Sequence, residues 1–115
     1  MSITIYHNPR CSKSRQTLAL LQERGIEPVV VEYLKTPPDA ATLKSLLGKL
    51  KFSARELMRT KEPAYKEAGL ADPQLSEAAL IKAMTEQPVL IERPIVVNGS
   101  KAAIGRPPEN VLTIL

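Results

Sequence analysis

Within its first thirty-one residues the chain changes hydrophobic period twice, and this confines the architectures open to it. Ile3-Thr4-Ile5-Tyr6 alternates like a short β-branched strand. His7-Asn8-Pro9-Arg10 breaks that pattern, because proline locks its own φ and keeps its predecessor out of the helical region. A helix is expected from Ser12 to Arg24, and Gly25 stands where a left-handed C-terminal cap belongs. Val29-Val30-Val31 is a continuous apolar run, as in a parallel strand buried on both faces. Strand, helix and strand in about thirty residues make a βαβ unit with a right-handed crossover.

The middle third reads as helical. Leu43, Leu46, Leu47 and Leu50 fall at i, i+3, i+4 and i+7, one apolar face of a helix. Ser53 with Glu56 forms a capping box that opens a short helix through Arg59. Ser76 suits the N-cap of a third helix, Leu75 and Leu80 are spaced as a hydrophobic staple, and Pro88 ends it. Ile95-Val96-Val97 then leads into Asn98-Gly99, a pair favoured in type I′ hairpin turns, and a return run to Ile104. Gly105-Arg106-Pro107-Pro108 precedes a last helix carrying Val111, Leu112 and Leu115. This order describes an α/β, thioredoxin-like fold. Its βαβ unit and β-hairpin form a mixed four-stranded sheet, with a helical insertion over residues 40–87, in one domain spanning 1–115.

A chain of 115 residues can bury a core without disulfide staples. Four aromatics, Tyr6, Tyr33, Phe52 and Tyr65, leave that core to Leu, Ile, Val and Ala. The net charge of +4 is spread along the chain, and few rings are present to stack on bases, so no nucleic-acid partner is expected. Met1 to Tyr6 lacks the basic start and apolar stretch of a signal peptide, and no apolar run approaches the ~18 residues of a membrane span. The single cysteine, Cys11, forbids an intramolecular disulfide and a structural zinc site built on several thiolates. A cytoplasmic monomer with no bound metal or cofactor is the expectation.

Cys11 lies at the seam between first strand and first helix, where unpaired N–H groups and the helix dipole favour an anion. Arg10, Lys13 and Arg15 crowd the same turn, and the thiolate is the reactive form of cysteine. A cysteine can instead be a small, inert core residue. The polar run from His7 to Ser14 argues for a surface loop and a reactive thiol. Cysteine-type phosphatases carry an arginine six positions after the nucleophile; here that position is Thr17 and the arginine is Arg15, which excludes them.

The segment from His7 to Leu18 (HNPRCSKSRQTL) resembles the signature of the glutaredoxin-coupled arsenate reductases, the ArsC-like family. Tyr33 to Pro38, Arg55 to Arg59, Glu92 to Val97 and Gly105-Arg106-Pro107 extend the resemblance, in order, across the chain. The resemblance implies Cys11 as nucleophile, with His7 nearby and Ser14 hydrogen-bonding the thiolate. It implies Arg59, Arg93 and Arg106 as oxyanion-binding residues, and Pro94 as a cis-proline against the cysteine. Arginine's planar fork suits a tetrahedral oxyanion. The implied reaction reduces arsenate to arsenite through a covalent adduct on Cys11, with glutathione as thiol co-substrate and glutaredoxin as partner. Small neutral residues around the cysteine of longer members are replaced here by Arg10 and Ser12-Lys13, and the chain stops at Leu115, as in shorter chromosomal members. Two other readings stand beside this one: a glutathione-dependent thiol reductase or deglutathionylating enzyme, and a non-catalytic redox regulator that binds RNA polymerase. The second is weakened by the sequence Cys11-Ser12-Lys13-Ser14, which lacks the paired thiol of such switches.

Overall fold

The computed structural model describes residues 3–115; Met1 and Ser2, part of the segment read as carrying no leader, lie outside the described residues. The chain divides into two compact units, residues 3–36 with Arg93–Leu115, and Pro37–Glu92.

The first unit holds strand β1 (Ile3–His7), helix α1 (Ser12–Glu23) and strand β2 (Val29–Glu32). Strands β3 (Ile95–Asn98) and β4 (Lys101–Ile104) and a 3₁₀ helix over Pro108–Ile114 complete it. The strands lie in the order β2-β1-β3-β4, with β1 and β2 parallel and the other pairs antiparallel. This is the mixed, thioredoxin-like sheet. Ile5 sits opposite Val30 on one side and Val96 on the other, so β1 is central. Ile5, Leu21, Val96 and Val111 are fully buried, with Leu18, Ile26 and Ile114 packed against them. Helix α1 ends in a Schellman motif. Gly25 takes φ +75°, its N–H donates to Gln22 O, and the Ile26 N–H donates to Leu21 O, both at 3.0 Å.

Three local expectations give way here. Strand β2 is not buried on both faces, since Val29 and Val30 are 54% and 44% exposed. It occupies the edge of the sheet, where an apolar run keeps β geometry without a second layer. In the hairpin, Asn98 pairs with Lys101, so the loop is Gly99-Ser100 and not Asn98-Gly99. Gly99 alone takes positive φ (+63°), the pattern of a type II′ turn, and the Asn98 amide instead donates to Ile114 O at 2.6 Å. The last helix is 3₁₀, with three residues per turn, so the residue that follows Val111 inward is Ile114 while Leu115 is exposed.

The second unit is helical. Helix α2 (Ala40–Leu50) is capped by Asp39, which accepts from the Thr42 N–H at 2.8 Å, and buries Leu43, Leu46, Leu47 and Leu50. Helix α3 (Ala54–Leu57) opens on the Ser53–Glu56 capping box but stops before Arg59. Met58 turns extended and bridges Ile91, ending the helix two residues early. Helix α4 (Pro63–Glu67), absent from the sequence reading, starts on a proline in its first turn. Helix α5 (Glu77–Glu86), capped by Ser76 on the Ala79 N–H at 3.1 Å, buries Leu80, Ile81 and Met84. A carboxylate oxygen of Glu77 accepts the Ala54 N–H at 2.8 Å and ties the starts of α3 and α5 together. Among the described residues no helix is long and apolar enough to cross a membrane.

Candidate functional site

Strand pairing decides which side chains can meet. Strand β1 ends at His7, with Tyr6 opposite Ile95 at the start of β3 and Ile95 opposite Ile104 at the end of β4. The segments leaving those positions, His7 to Ser14, Arg93-Pro94 and Gly105-Arg106, therefore all emerge at one end of the sheet. The Arg93–Pro94 peptide bond is cis, and so is Arg106–Pro107, which the sequence reading does not anticipate. The Gly105 N–H donates to Pro94 O at 3.0 Å and joins the two arginine-bearing segments.

Cys11 is the N-cap of α1, with extended backbone (φ −93°, ψ 124°) and no side-chain cap bond. No acidic residue lies in the first turn of that helix. The Cys11 N–H closes a turn on Asn8 O at 3.0 Å, Asn8 Oδ1 accepts the Arg10 N–H at 3.0 Å, and Arg15 straps the loop by donating to Pro9 O at 3.0 Å. The loop is a surface loop only in part. Pro9, Arg10 and Ser12 are exposed, whereas His7, Asn8, Cys11 and Ser14 are buried. Polar composition indicated exposure, but these polar groups satisfy one another, which is what makes their burial affordable.

Ser14, wholly buried in the first turn of α1, accepts the Asn8 N–H at 3.0 Å and meets His7 Nδ1 at 2.6 Å. Both bonds lie within the loop that carries Cys11. His7 is held below its ordinary value of 6.5, chiefly by burial and further by the Arg15 charge, with Glu32 opposing. Burial thus favours the neutral imidazole. Either Ser14 donates to Nδ1, or Nδ1–H donates to Ser14 and leaves the hydroxyl proton free.

Arg93 is half-buried and Arg106 exposed, both in the unit that carries Cys11. Arg59 belongs to the helical unit. There its guanidinium meets Glu62 at 2.6 Å and Glu92 at 3.8 Å, with its side chain 21% exposed. The neighbouring Arg55, within the same matching stretch, is a strut. It donates to the Tyr65 hydroxyl at 2.5 Å, Leu70 O at 2.7 Å and Asp72 O at 2.9 Å.

The packing of Thr17 against Gly105 is not legible in the sequence. Thr17 is fully buried and donates to Lys13 O at 2.8 Å, one turn back. It faces Gly105, where a Cβ would lie against Thr17 Oγ1 and only 2.9 Å from Pro94 Cγ. Glycine is thus required for α1 to approach the proline-bearing segment. A glycine between a strand and an Arg-Pro pair was the available signal, but its partner lies 88 residues away.

A family model described as the ArsC family matches residues 6–114. The chain belongs to the ArsC family. It is 66% identical over 114 residues to the "Uncharacterized protein YfgD" of Escherichia coli strain K12, covering 98% of this chain and 96% of that protein. It is 54% identical to an arsenate reductase of Neisseria meningitidis, over 98% and 97% of the two chains. The solved structure of an arsenate reductase from Vibrio cholerae superposes with a TM-score of 0.98 at 57% identity, covering 100% of this chain and 98% of that one. ArsC relatives of this similarity span nearly the full chain, so the likeness includes both units.

Proposed function

We propose that this ArsC-family chain reduces arsenate to arsenite through a covalent adduct on Cys11, with glutathione and glutaredoxin supplying the remaining thiols. The observation that carries the reading is the emergence of the Cys11 loop, Arg93 and Arg106 at one end of the sheet, in a chain whose relatives include named arsenate reductases. A thiolate at a helix N-terminus attacks the pentavalent arsenic, and an arsenate oxygen leaves as water. Glutathione adds to the adduct, glutaredoxin reduces it, and arsenite departs. Arginine forks hold the oxyanion while charge shifts among its oxygens. In the proton arrangement where His7 donates to Ser14, the free Ser14 hydroxyl proton is available to the sulfur or a bound oxygen.

Electron counting requires outside thiols. Arsenate to arsenite takes two electrons, and two thiols become one disulfide in supplying them. This chain has one cysteine. The test is arsenate-dependent NADPH oxidation coupled through glutathione, glutaredoxin and glutathione reductase. Cys11→Ser should abolish it, because a serine hydroxyl stays protonated near neutral pH. Replacing glutathione and glutaredoxin by thioredoxin and its reductase should also stop turnover. Sustained turnover under that substitution would overturn the glutaredoxin-coupled reading.

A further inference from the structure

We propose that a groove beside the Cys11 turn is the recognition site for the external thiol, and that its charges select glutathione. The inference rests on the outside-thiol chemistry above. The groove, about 230 Å³, is walled on one side by His7, Asn8 and Arg10 and on the other by Glu32, Leu34 and Lys35. Parallel pairing of β1 with β2 creates it, since His7 and Glu32 are register partners at the ends of the two strands. The first wall belongs to the turn that the Cys11 N–H closes on Asn8 O, which sets the groove beside the loop that carries the nucleophile.

The walls present two cations, Arg10 and Lys35, and one carboxylate, Glu32. Glutathione at neutral pH carries two carboxylates and one ammonium, the complementary set. Glu32 and Lys35 now face each other at 3.5 Å with side chains 41% and 78% exposed. An exposed pair of this kind is weak and is readily exchanged for ligand charges. Leu34, 41% exposed, supplies an apolar wall for the peptide backbone between those charges. A thiol lacking the ammonium would leave Glu32 without a partner while still offering a carboxylate to the cations.

That asymmetry defines the test, which contains no arsenate. The Cys11 thiolate attacks one sulfur of a disulfide, a new S–S bond forms to Cys11, and the other half leaves as a thiolate with the electron pair. The disulfide is the oxidant. Mass spectrometry follows mixed-disulfide formation with glutathione disulfide and, separately, with 3,3′-dithiodipropionate. Both carry a net charge of −2, so general attraction to a basic protein cancels in the ratio of their rates. The ratio should exceed tenfold in the parent protein and fall at least fivefold in Glu32→Gln. Lys35→Glu should slow both reagents. NMR titration with S-methylglutathione should shift the amides of residues 7–10 and 32–35. A parent ratio near one, a ratio unchanged in Glu32→Gln, or shifts clustered elsewhere would each overturn the proposal. Retained selectivity in a protein that fails to reduce arsenate would support the groove and reject the arsenate reading alone.

Discussion

The imidazole of His7 meets the hydroxyl of Ser14 at 2.6 Å, joining the last residue of β1 to the first turn of α1. This contact and the Asn8 N–H on the same hydroxyl organise the loop that carries Cys11.

The first prediction concerns pH. Burial and Arg15 hold His7 below 6.5, so the unfolded chain takes up the proton first as pH falls. A histidine lowered in this way stabilises the fold above 6.5, and that contribution is lost progressively as pH drops below 6.5. Thermal unfolding should show a Tm that declines on acidification through that range. His7→Gln should flatten the decline. An identical Tm profile in parent and variant would remove His7 from the account.

Gly105 and Thr17 should behave as a coupled pair. Gly105→Ala forces a methyl against Thr17 and Pro94, an overpacking of about 1–3 kcal/mol. Thr17→Ala removes the closest obstacle, Oγ1, so Gly105→Ala should cost less in that background. Urea unfolding of both single variants and the double variant measures the coupling. Simple additivity would mean that the contact does not govern the approach of α1 to Pro94.

For the arginines, Arg59→Ala, Arg93→Ala and Arg106→Ala should each lower kcat/KM for arsenate about 10–100-fold, the range for hydrogen bonds from a charged donor. Lysine at the same positions keeps the charge but loses the fork, and should recover activity only in part. Full activity in all three alanine variants would reject their role.

Arg59 invites a further measurement, because its guanidinium is engaged by Glu62 at 2.6 Å. In the proposed reading, an anion taken up by Arg59 competes with that carboxylate. Glu62→Gln should therefore lower the KM for arsenate severalfold with little change in kcat. An unchanged KM would show that Glu62 does not compete for the fork.

Stability of the helical unit should depend on its leucine face. Leu43 is fully buried on α2, and Leu43→Ala should cost about 2–5 kcal/mol in chemical denaturation. Ser53→Ala, which removes the capping-box oxygen, should cost about 1 kcal/mol.

Local sequence determined a good deal of this molecule. The caps at Ser53 and Ser76, the Gly25 C-terminus and the Leu43–Leu50 face are short-range events, and they form as read because each depends on residues within one or two turns. The solitary cysteine and its basic neighbours likewise stand in one stretch of chain, where the proposed chemistry is legible without the fold. Tertiary structure decided the rest. Val29-Val30-Val31 reads as an interior strand, but its exposure follows from the strand order, which no local pattern encodes. Leu115 lost its expected core place to Ile114 because the terminal helix tightened to three residues per turn. Gly105 and Thr17 are 88 residues apart, and their close approach exists only once β4 and α1 are packed. Ser14 and His7 meet across seven residues because a buried hydroxyl and a buried imidazole each satisfy the other. Hydrogen-bond satisfaction and steric fit are sums over everything nearby, so they become definite only when distant segments share one space.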